Sequence, residues 1–437
     1  MADTDRAAWA TFLYELRGKV QQLFATETPF LAEMTGVGDA NRVGRFTRDM
    51  DANRDVFSDD SVRHTLITSY LPGAGNPGET SVWNVPHLLP SKKINIKLVR
   101  FLVPFSVSVD VERDSMNKPN AGAVEQLVDQ SRIALGKLEN LEALGDGTGL
   151  QVDITDGATS LTTTCGVTAN FDVLLPGTVW DILTRSTGAD PGQGKRRKIA
   201  SVVESTRVIT WDTASQASDG GSGSIVHTSA DGIYVPGSWS NGTPGGGTGP
   251  GEIVMQGLEQ AAAITGTFET LDKAANPSWQ GVDGRGGDTT ALSLSDQILD
   301  AAMRKVRRSG IGAFDFGIGD PAAIDLYKQG KISQVRYEAQ EARIPSGFSG
   351  IVYQGGDKPF PLIKEPVHKK KAVKLVDKAS FQLYGDSKGP TFLDDDGAMF
   401  RRFARALPKE ADLLDRVQLG VTKCNTIVFI NDLVQAA

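Results

Sequence analysis

A switch in hydrophobic period between residues 101 and 144 constrains this fold more than any other feature. Apolar side chains occupy every second position from Phe101 to Val109, and charged residues follow. Further on, apolar residues recur every three or four positions from Val124 to Leu141. Period two is typical of a half-buried strand, and period 3.6 is typical of an amphipathic helix. The sequence therefore predicts a strand and then a long helix that ends at Gly145.

Composition excludes several classes of protein. The chain has 437 residues, of which 40% are hydrophobic, so it can bury a sizeable core in one elaborated fold or in two to three domains. The net charge of -7 argues against a dedicated nucleic-acid binder, which would carry a basic excess. Two cysteines, Cys165 and Cys424, form neither a disulfide framework nor a cysteine zinc site. We expect a reduced, cytosolic site of assembly.

The chain contains no segment typical of export or of a membrane span. Residues 1–6 lack a basic region followed by an apolar run, so we expect no signal peptide. The longest apolar runs, at 101–109 and 426–430, are strand-sized, whereas a membrane helix needs about 20 residues. We therefore predict no membrane partner.

The first hundred residues divide into an arm and a long hairpin. Residues 8–24 carry a helical apolar pattern, and the arm then stays polar and irregular to about residue 61. Two apolar limbs follow, on either side of the turn-forming segment 72–78. An isolated hairpin is marginal in water. A long hairpin with apolar residues therefore predicts a partner surface.

The remainder alternates between strand-rich and helical segments. From about residue 150 to residue 251 the chain is rich in Thr, Ser, Gly and Val and ends in a glycine-rich linker, which predicts an inserted β-domain. Ser293 or Ser295 precedes a helix that ends in basic residues, and Asp320-Pro321 is a typical helix start. The predicted strands are 173–175, 182–185, 198–203, 207–211, a strand through 314–318, and 350–353, 372–376, 380–384, 399–403, 415–421 and 426–430.

This order of elements resembles the Hong Kong 97 fold of tailed-phage major capsid proteins. The resemblance covers roughly residues 62–437 and lies in the order and spacing of short phrases. These are Val107-Ser108-Val109-Asp110, Leu138–Gly147, Gly257-Leu258, Asn276-Pro277-Ser278-Trp279-Gln280-Gly281 and Asp394-Asp395-Asp396-Gly397. It implies an α+β capsid fold with an N-terminal arm, an extended β-hairpin loop, a long spine helix, peripheral and axial domains, and a small inserted β-domain. The implied boundaries are 1–61 for the arm, 62–109 for the extended loop, 110–150 for the peripheral domain with its spine helix, 151–251 for the insert, 252–394 for the axial domain and 395–437 for strands that return to the core.

The resemblance also implies a function. The chain would be a structural major capsid protein that self-assembles into pentamers and hexamers and forms the icosahedral head around phage double-stranded DNA. Its partners would be copies of itself, and possible further partners are scaffolding, portal and decoration proteins and, without sequence specificity, the packaged DNA. It would be located in the virion after assembly in the host bacterial cytoplasm. We expect no enzymatic activity, cofactor or metal.

Several residues are candidates for these contacts. The candidate intersubunit residues are Trp9, Phe12, Trp83, Lys92, Lys93, Lys97 and Trp279. Some capsid proteins of this fold crosslink through a lysine of the extended loop, but we favour solvated or salt-bridging lysines at 92, 93 and 97. Tryptophans are also most often packing residues. The candidate DNA-facing residues are Lys369, Lys370 and Lys371, and a solvated loop or an intersubunit ion pair explains such a run equally well.

Other patterns give weaker indications. Asp394–Gly397 lacks the spaced ligands of a calcium loop and predicts a tight turn. The four histidines are scattered, and the sequence has no nucleophile elbow. Two alternatives remain: an encapsulin-like nanocompartment shell, which the inserted β-domain disfavours, and a β-rich enzyme or binding protein whose site residues are scattered in the sequence.

Overall fold

The computed structural model describes most of the chain from residue 28 onward. The described residues are 28–35, 46–47, 57–58, 61–67, 91–107, 121–167, 169–215, 223–240, 243–244, 254–308, 314–332, 342–343, 349–353, 359–386, 390–393, 401–402 and 409–434. Within them the architecture is α+β and strand-rich, as the sequence predicts.

The helices of the described residues are α1 (Pro29–Thr35), α2 (Ala121–Leu144), α3 (Leu258–Ala262), α4 (Asp296–Arg308) and α5 (Pro321–Ile332). The longer helices follow the predicted patterns, but α1 lies in the part of the arm that was predicted to be irregular, because its apolar side chains pack into a core built by distant segments. The helix predicted over 8–24 lies outside the described residues. Helix α2 ends directly before Gly145, which confirms the helix predicted from the period switch. Asp320 caps α5, because its Oδ1 accepts a hydrogen bond from the Ala322 backbone N at 3.2 Å. Short 3₁₀ segments occur at Pro277–Trp279, Lys378–Ser380 and Cys424–Thr426.

The predicted hairpin is present where the structure describes it. Strand Ser61–Ile67 pairs antiparallel with Ser91–Lys97, so that Ser61 lies opposite Lys97 and Ile67 opposite Ser91. The short strand Phe57–Ser58 joins the other edge of Ser61–Ile67. The turn and both inner limbs, residues 68–90, lie outside the described residues.

A six-stranded sheet is built around the long strand Lys409–Val421. Strand Val99–Val107 pairs with its first half, and Phe381–Gly385 pairs with its second half. Strands Thr391–Phe392 and Arg401–Arg402 also pair with it, and Phe46–Thr47 pairs with Phe381–Gly385. Helix α2 packs on this sheet. The buried faces of helix and sheet meet in one apolar core, because residues two apart on a strand share a face.

Residues 150–240 form a sheet that closes on itself. Its strands run in the order Leu150–Asp153, Asp231–Tyr234, Val179–Thr184, Arg197–Val203, Val208–Ser215 and Thr162–Thr164. A bridge between Ile154 and Cys165 then joins the last strand to the first. Two further strands, Ala158–Ser160 and Ile225–His227, form an antiparallel pair, and Trp239–Ser240 pairs with Thr243–Pro244. The closed sheet has its own apolar core, which also includes Leu141 of α2.

The third of the large sheets is mixed and has seven strands. Its order is Val282–Asp283, Val428–Ile430, Val373–Val376, Phe316–Gly319, Phe360–Lys364, Ser349–Tyr353 and Ala342–Arg343. Helices α4 and α5 contribute apolar residues to the same core cluster. A small hairpin, Thr267–Phe268 with Leu271–Asp272, lies between α3 and this sheet in the chain.

Some sequence predictions of local structure were wrong. Residues 173–175 form a turn rather than a strand, because the run is too short to pair and its backbone folds into local hydrogen bonds. Strand Phe360–Lys364 was not predicted, because Pro361 breaks the apolar alternation. The Asp394–Gly397 phrase lies outside the described residues. The domain boundaries stay predictions.

Candidate functional site

Residues 254–263, which include α3, lie where the long helix and the sheets meet. We call residues 254–263, together with Glu142, Glu269, Lys273 and Lys374, the polar hub. A Cβ at Gly257 would lie within 2.7 Å of three backbone carbonyl oxygens, those of Glu142, Ala143 and Gly145. Only glycine allows such a close approach to the end of α2. The Gly257-Leu258 phrase is therefore a packing requirement of the junction.

Glu142 fastens the end of α2 to the hub. Its Oε2 accepts a hydrogen bond from the Met255 backbone N at 2.9 Å. The side chain is buried, and this burial raises the pKa of Glu142 to about 8, although the hydrogen bond opposes the rise. The carboxyl is therefore largely protonated at neutral pH.

Lys273 caps the C-terminal end of α3. Its fully buried Nζ donates to the backbone oxygens of Gln260, Ala261 and Ala263 at 2.7–2.8 Å. Those carbonyls lie at the C-terminal end of the helix, which favours a cation. Burial lowers the pKa of Lys273 to about 8. All three N–H groups of the ammonium therefore have an acceptor.

Glu269 connects the same region to the long strand. Its Oε1 accepts from the Val421 backbone N at 2.8 Å, and its own backbone N donates to Gln256 Oε1 at 2.9 Å. Burial raises the pKa of Glu269 well above its ordinary value, against the opposing effects of the Val421 hydrogen bond and Lys273. This carboxyl is a positioning group, because its contacts are to backbone groups of its own chain.

Glu259 is the acceptor for two lysines of the basic run and its continuation. It forms ion pairs with the buried Lys374 and, at 3.1 Å, with Lys369. Burial favours a raised pKa for Glu259, but the two lysines outweigh it and hold the pKa at about 2. His368 Nε2 lies 3.2 Å from Lys374 Nζ. Burial and the Lys374 cation lower the pKa of His368 to about 3, so the ring is neutral at neutral pH.

The basic run therefore has partners within the subunit. Besides the Lys369 pair, Lys370 Nζ lies 2.7 Å from Asp172 Oδ2, and the Lys371 backbone N donates to Asp320 Oδ2 at 2.8 Å. Nearby, Asn170 Nδ2 donates to the backbone oxygens of Pro366 and His368. These contacts fasten the closed sheet to the loop 365–371. The DNA contact predicted for Lys369, Lys370 and Lys371 stays a prediction.

Helix α1 is held to the core by polar contacts at both ends. The Phe30 backbone N donates to Glu365 Oε2 at 3.2 Å, and the Leu31 backbone N donates to Asn140 Oδ1 at 3.3 Å. Glu33 forms an ion pair with Lys378. Apolar side chains of α1 are buried beside them, namely Phe30, Leu31 and Met34. Burial raises the pKa of Glu365 to about 7, against three opposing hydrogen bonds.

The predicted contact residues have different environments. Trp9, Phe12 and Trp83 lie outside the described residues. Lys92, Lys93 and Lys97 are exposed on the hairpin strand Ser91–Lys97. The Trp279 ring packs inside the subunit, only 4% exposed, with its centroid 6.1 Å from that of Phe268 and its Nε1 donating to Phe268 O at 3.3 Å. Any contact of Trp279 with a neighbouring copy is limited to that small exposed fraction and stays a prediction.

Three further features concern the metal ligands, the thiols and the helices of the described residues. In that part of the chain no group of three or more His, Cys, Asp or Glu side chains is arranged to hold a metal ion. Cys165 and Cys424 are both buried thiols, and burial raises the pKa of Cys165 to about 12. No helix among the described residues has the length and apolarity required to cross a membrane.

Sequence reasoning missed the ionic residues of the hub. Glu142, Glu259, Glu269 and Lys273 were not singled out, because a charged side chain in a helix or loop is normally solvated. One local signal existed for Glu142, which interrupts the apolar sequence Leu141, Ala143 and Leu144 at the end of α2.

Comparison with solved structures identifies the architecture. The Cyanophage A-1(L) capsid asymmetric unit contains a chain that matches with a TM-score of 0.52 and 12% identity, over 94% of this chain and 93% of that chain. The chain has the Hong Kong 97-type fold of phage major capsid proteins. This fold was predicted from the order of elements, and the match confirms it.

Further matches are less similar. The capsid of the native GTA particle aligns with a TM-score of 0.40 at 10% identity, over 87% of this chain and 86% of that chain. The holo-SrpI encapsulin complex from Synechococcus elongatus PCC 7942 aligns with a TM-score of 0.25 at 14% identity, over 35% of this chain and 53% of that chain. No family model matches the capsid-fold chain. No curated protein matches it either.

Proposed function

We propose that this chain is a major capsid protein that self-assembles into pentamers and hexamers and forms the icosahedral head around phage double-stranded DNA. The observation that carries the proposal is the likeness to a capsid chain over nearly the whole length of both chains. A shared fold alone does not imply a shared function, so the proposal needs an assembly experiment.

The regions have proposed roles in such a shell. The hairpin strands at 61–67 and 91–97 belong to the extended loop, α2 is the spine helix of the peripheral domain, and 151–251 is the inserted domain. Residues 252–394 form the axial domain, which meets its copies at the centre of a ring. Lys93 and Lys97 support the role of the hairpin as a contact surface, because they lie on the exposed face of a strand whose opposite face buries Ile94 and Ile96. Lys92 is exposed at the start of that second face.

Repetition of identical contacts would supply the assembly energy. In a ring the same patches meet many times, so each contact can be weak while the assembly is stable. The polar hub supports this role because it fastens α2, the strand Val373–Val376 and the strand Lys409–Val421 to one another within each subunit. A subunit held in this way would move as a unit when a shell rearranges.

The remaining partners follow from the same proposal. Packaged DNA would meet the inner surface without sequence specificity, and exposed lysines, including those of the basic run, could contact phosphates. Scaffolding, portal and decoration proteins would bind the assembling shell. The chain would be assembled in the host cytoplasm and located in the virion, and its role would be structural rather than enzymatic.

Assembly state tests the proposal directly. Sedimentation velocity on the purified full chain, followed by electron microscopy of the fastest fraction, is expected to reveal closed shells or rings of five and six. A Lys92→Glu/Lys93→Glu variant should assemble less, while Lys198→Glu, on an exposed position of the closed sheet, should assemble normally. Circular dichroism checks that both variants fold.

Two outcomes would contradict the proposal. The first is a folded monomer that stays monomeric when it is co-expressed with scaffold and portal proteins. The second is an enzymatic or ligand-binding activity in such a monomer, which would support the alternative of a β-rich enzyme or binding protein. Shells that contain cargo protein instead of DNA would support the nanocompartment alternative.

A further inference from the structure

The chain that links the hairpin to the sheet around Lys409–Val421, called the core sheet below, exchanges its pairing partner at one residue. Strand Ser91–Lys97 pairs with Ser61–Ile67 in the hairpin. Strand Val99–Val107 pairs with the long strand Lys409–Val421 in the core sheet. Leu98 lies between the two strands and belongs to neither. The chain therefore leaves one sheet and enters the other within a single residue.

The buried face of the chain is exchanged at the same point. Before the exchange the buried residues are at even positions, namely Ile94, Ile96 and Leu98. After it they are at odd positions, beginning with Val99 and Phe101. Residues two apart in an extended strand share a face, so the alternation is shifted by one residue between Leu98 and Val99. We call this shift the Leu98-Val99 step.

The step allows both halves of the chain to face the same core. The buried residues on either side of it belong to one apolar cluster, which also includes Val62 of the other hairpin strand. Without the step, a strand in strict alternation would turn the apolar side chains of one half toward the opposite face. One extra residue in a strand also bends it and increases its twist. The step therefore orients the hairpin relative to the core sheet.

A second contact holds the base of the hairpin beyond the pairing with Val99–Val107. Ile96 lies against Gly420 of the long strand, where a Cβ would meet the Tyr384 ring and lie 3.0 Å from Ile96 Cδ1. Val62, which pairs with Ile96, is fully buried. The described base of the hairpin cannot swing away from the core sheet without exposing these apolar side chains to water.

We propose that the Leu98-Val99 step is a rigid pivot, which fixes the direction in which the hairpin leaves the core sheet. Leu98 is a positioning residue in this role, because the direction depends on the number of residues between the two pairings. The inference goes beyond the capsid proposal, since it concerns the geometry of one subunit. Only its consequence for assembly rests on that proposal.

Distance measurements between pairs of spin labels test the pivot in the full chain. Lys93→Cys on the hairpin and Thr391→Cys on the core sheet place labels at exposed positions, whereas the natural thiols of Cys165 and Cys424 are fully buried. The reference pair is Thr391→Cys with a cysteine at the exposed Ala134 of α2, which packs on the same sheet. Dilution with unlabelled chain removes distances between copies. The hairpin pair should give a single distance distribution that is no wider than that of the reference pair.

Two variants of residue 98 separate the step from side-chain packing. Deletion of Leu98 removes the step but keeps both pairings in register, because the two halves pair with different strands. The distance distribution of the hairpin pair should then stay narrow and shift to a different centre. Leu98→Ala keeps the number of residues and loses only side-chain volume, so its distribution should keep the original centre.

The consequence for assembly is measured separately by sedimentation velocity. The deletion variant should form no closed shells, because each hairpin would point away from its place on the next copy, whereas Leu98→Ala should still assemble. A chain of natural length that forms no shells would contradict the capsid proposal alone, since the distance between the labels does not depend on assembly.

Two results would overturn the pivot. The first is a distance distribution for the hairpin pair that is broader than the reference, which is decisive even if the deletion variant fails to fold. The second is a folded deletion variant that keeps the original distance.

Discussion

The closed sheet and the polar hub bury ionic groups in different ways. In the closed sheet the partners are near in sequence: Asp181 accepts from the backbone of Arg196, and Arg197 donates to Thr213 O. In the hub the contacts that link separate elements join residues more than 100 positions apart, as in Glu142 with Met255 and Glu269 with Val421. The closed sheet is thus satisfied largely within itself. The hub exists only when several parts of the chain are already folded together.

This difference predicts how each region responds to change. Apolar packing dominates the closed sheet, so its variants should lose stability in proportion to the volume removed. The hub depends on close backbone approach and on buried charges, so its variants should depend on steric fit and on pH. Four measurements test this difference, in order of decreasing change in stability.

Gly257→Ala should have the largest effect. The added methyl group would meet three backbone carbonyl oxygens, which cannot move aside as a side chain can. We expect a loss of about 4 kcal/mol or more in the free energy of unfolding, measured by urea denaturation. Gly330→Ala is the matched control, because no atom lies within 4 Å of its Cβ and the residue is inside α5. That variant should gain about 0.5–1 kcal/mol. A tolerated Gly257→Ala would show that the junction is looser than its geometry indicates.

Ile182→Ala in the closed sheet should follow. Ile182 is fully buried in the core of that sheet, so the truncation leaves a cavity. The expected loss is about 3 kcal/mol for Ile182→Ala and about 1 kcal/mol for Ile182→Val, from the same denaturation experiment. Val203→Ala, at a half-exposed position of the same sheet, should change stability by less than about 0.5 kcal/mol. Equal losses at Ile182 and Val203 would contradict a self-contained core.

The pH dependence of Glu142→Gln tests the hub specifically. The pKa of Glu142 rises from an unfolded value near 4.5 to about 8 in the fold, so the stability it contributes is complete below pH 4.5 and is lost as the pH rises through 8. Between pH 5 and pH 7 the natural chain should lose about 2–3 kcal/mol more stability than Glu142→Gln. The quantity measured at each pH is the difference in the free energy of unfolding between the two proteins, obtained from urea denaturation. Parallel pH profiles for the two proteins would place the titrating group elsewhere.

The ion pair that joins the closed sheet to the loop 365–371 should give the smallest effect. The Lys370–Asp172 pair is partly exposed, and such pairs contribute about 0.5 kcal/mol or less in a double-mutant cycle. Asn170→Ala should cost more, about 1–2 kcal/mol, because its amide donates to two backbone oxygens in the same junction. A coupling free energy above about 1.5 kcal/mol between Lys370 and Asp172 would mean that water screens this pair less than its exposed fractions indicate.

Much of the fold was predictable because the signals were local. The alternation after Phe101, the helical period to Leu141 and the Asp320-Pro321 cap each act within a few residues, and each element forms as predicted. The order of such elements was enough to identify the capsid fold. Strand Phe360–Lys364 was missed because its pairing with Phe316–Gly319 and Ser349–Tyr353 stabilises it despite its proline.

The periodic elements, their order and their caps can be inferred from the sequence alone, since they depend on side-chain spacing and on backbone groups close by. The identity of the buried charged side chains and of their partners depends on the assembled fold. Glu259 pairs with Lys374, and Glu365 accepts from Phe30, which is 335 residues away. The physical reason is that a charge can be buried only where distant segments bring it an opposite charge or a free backbone group, and no local pattern records that meeting.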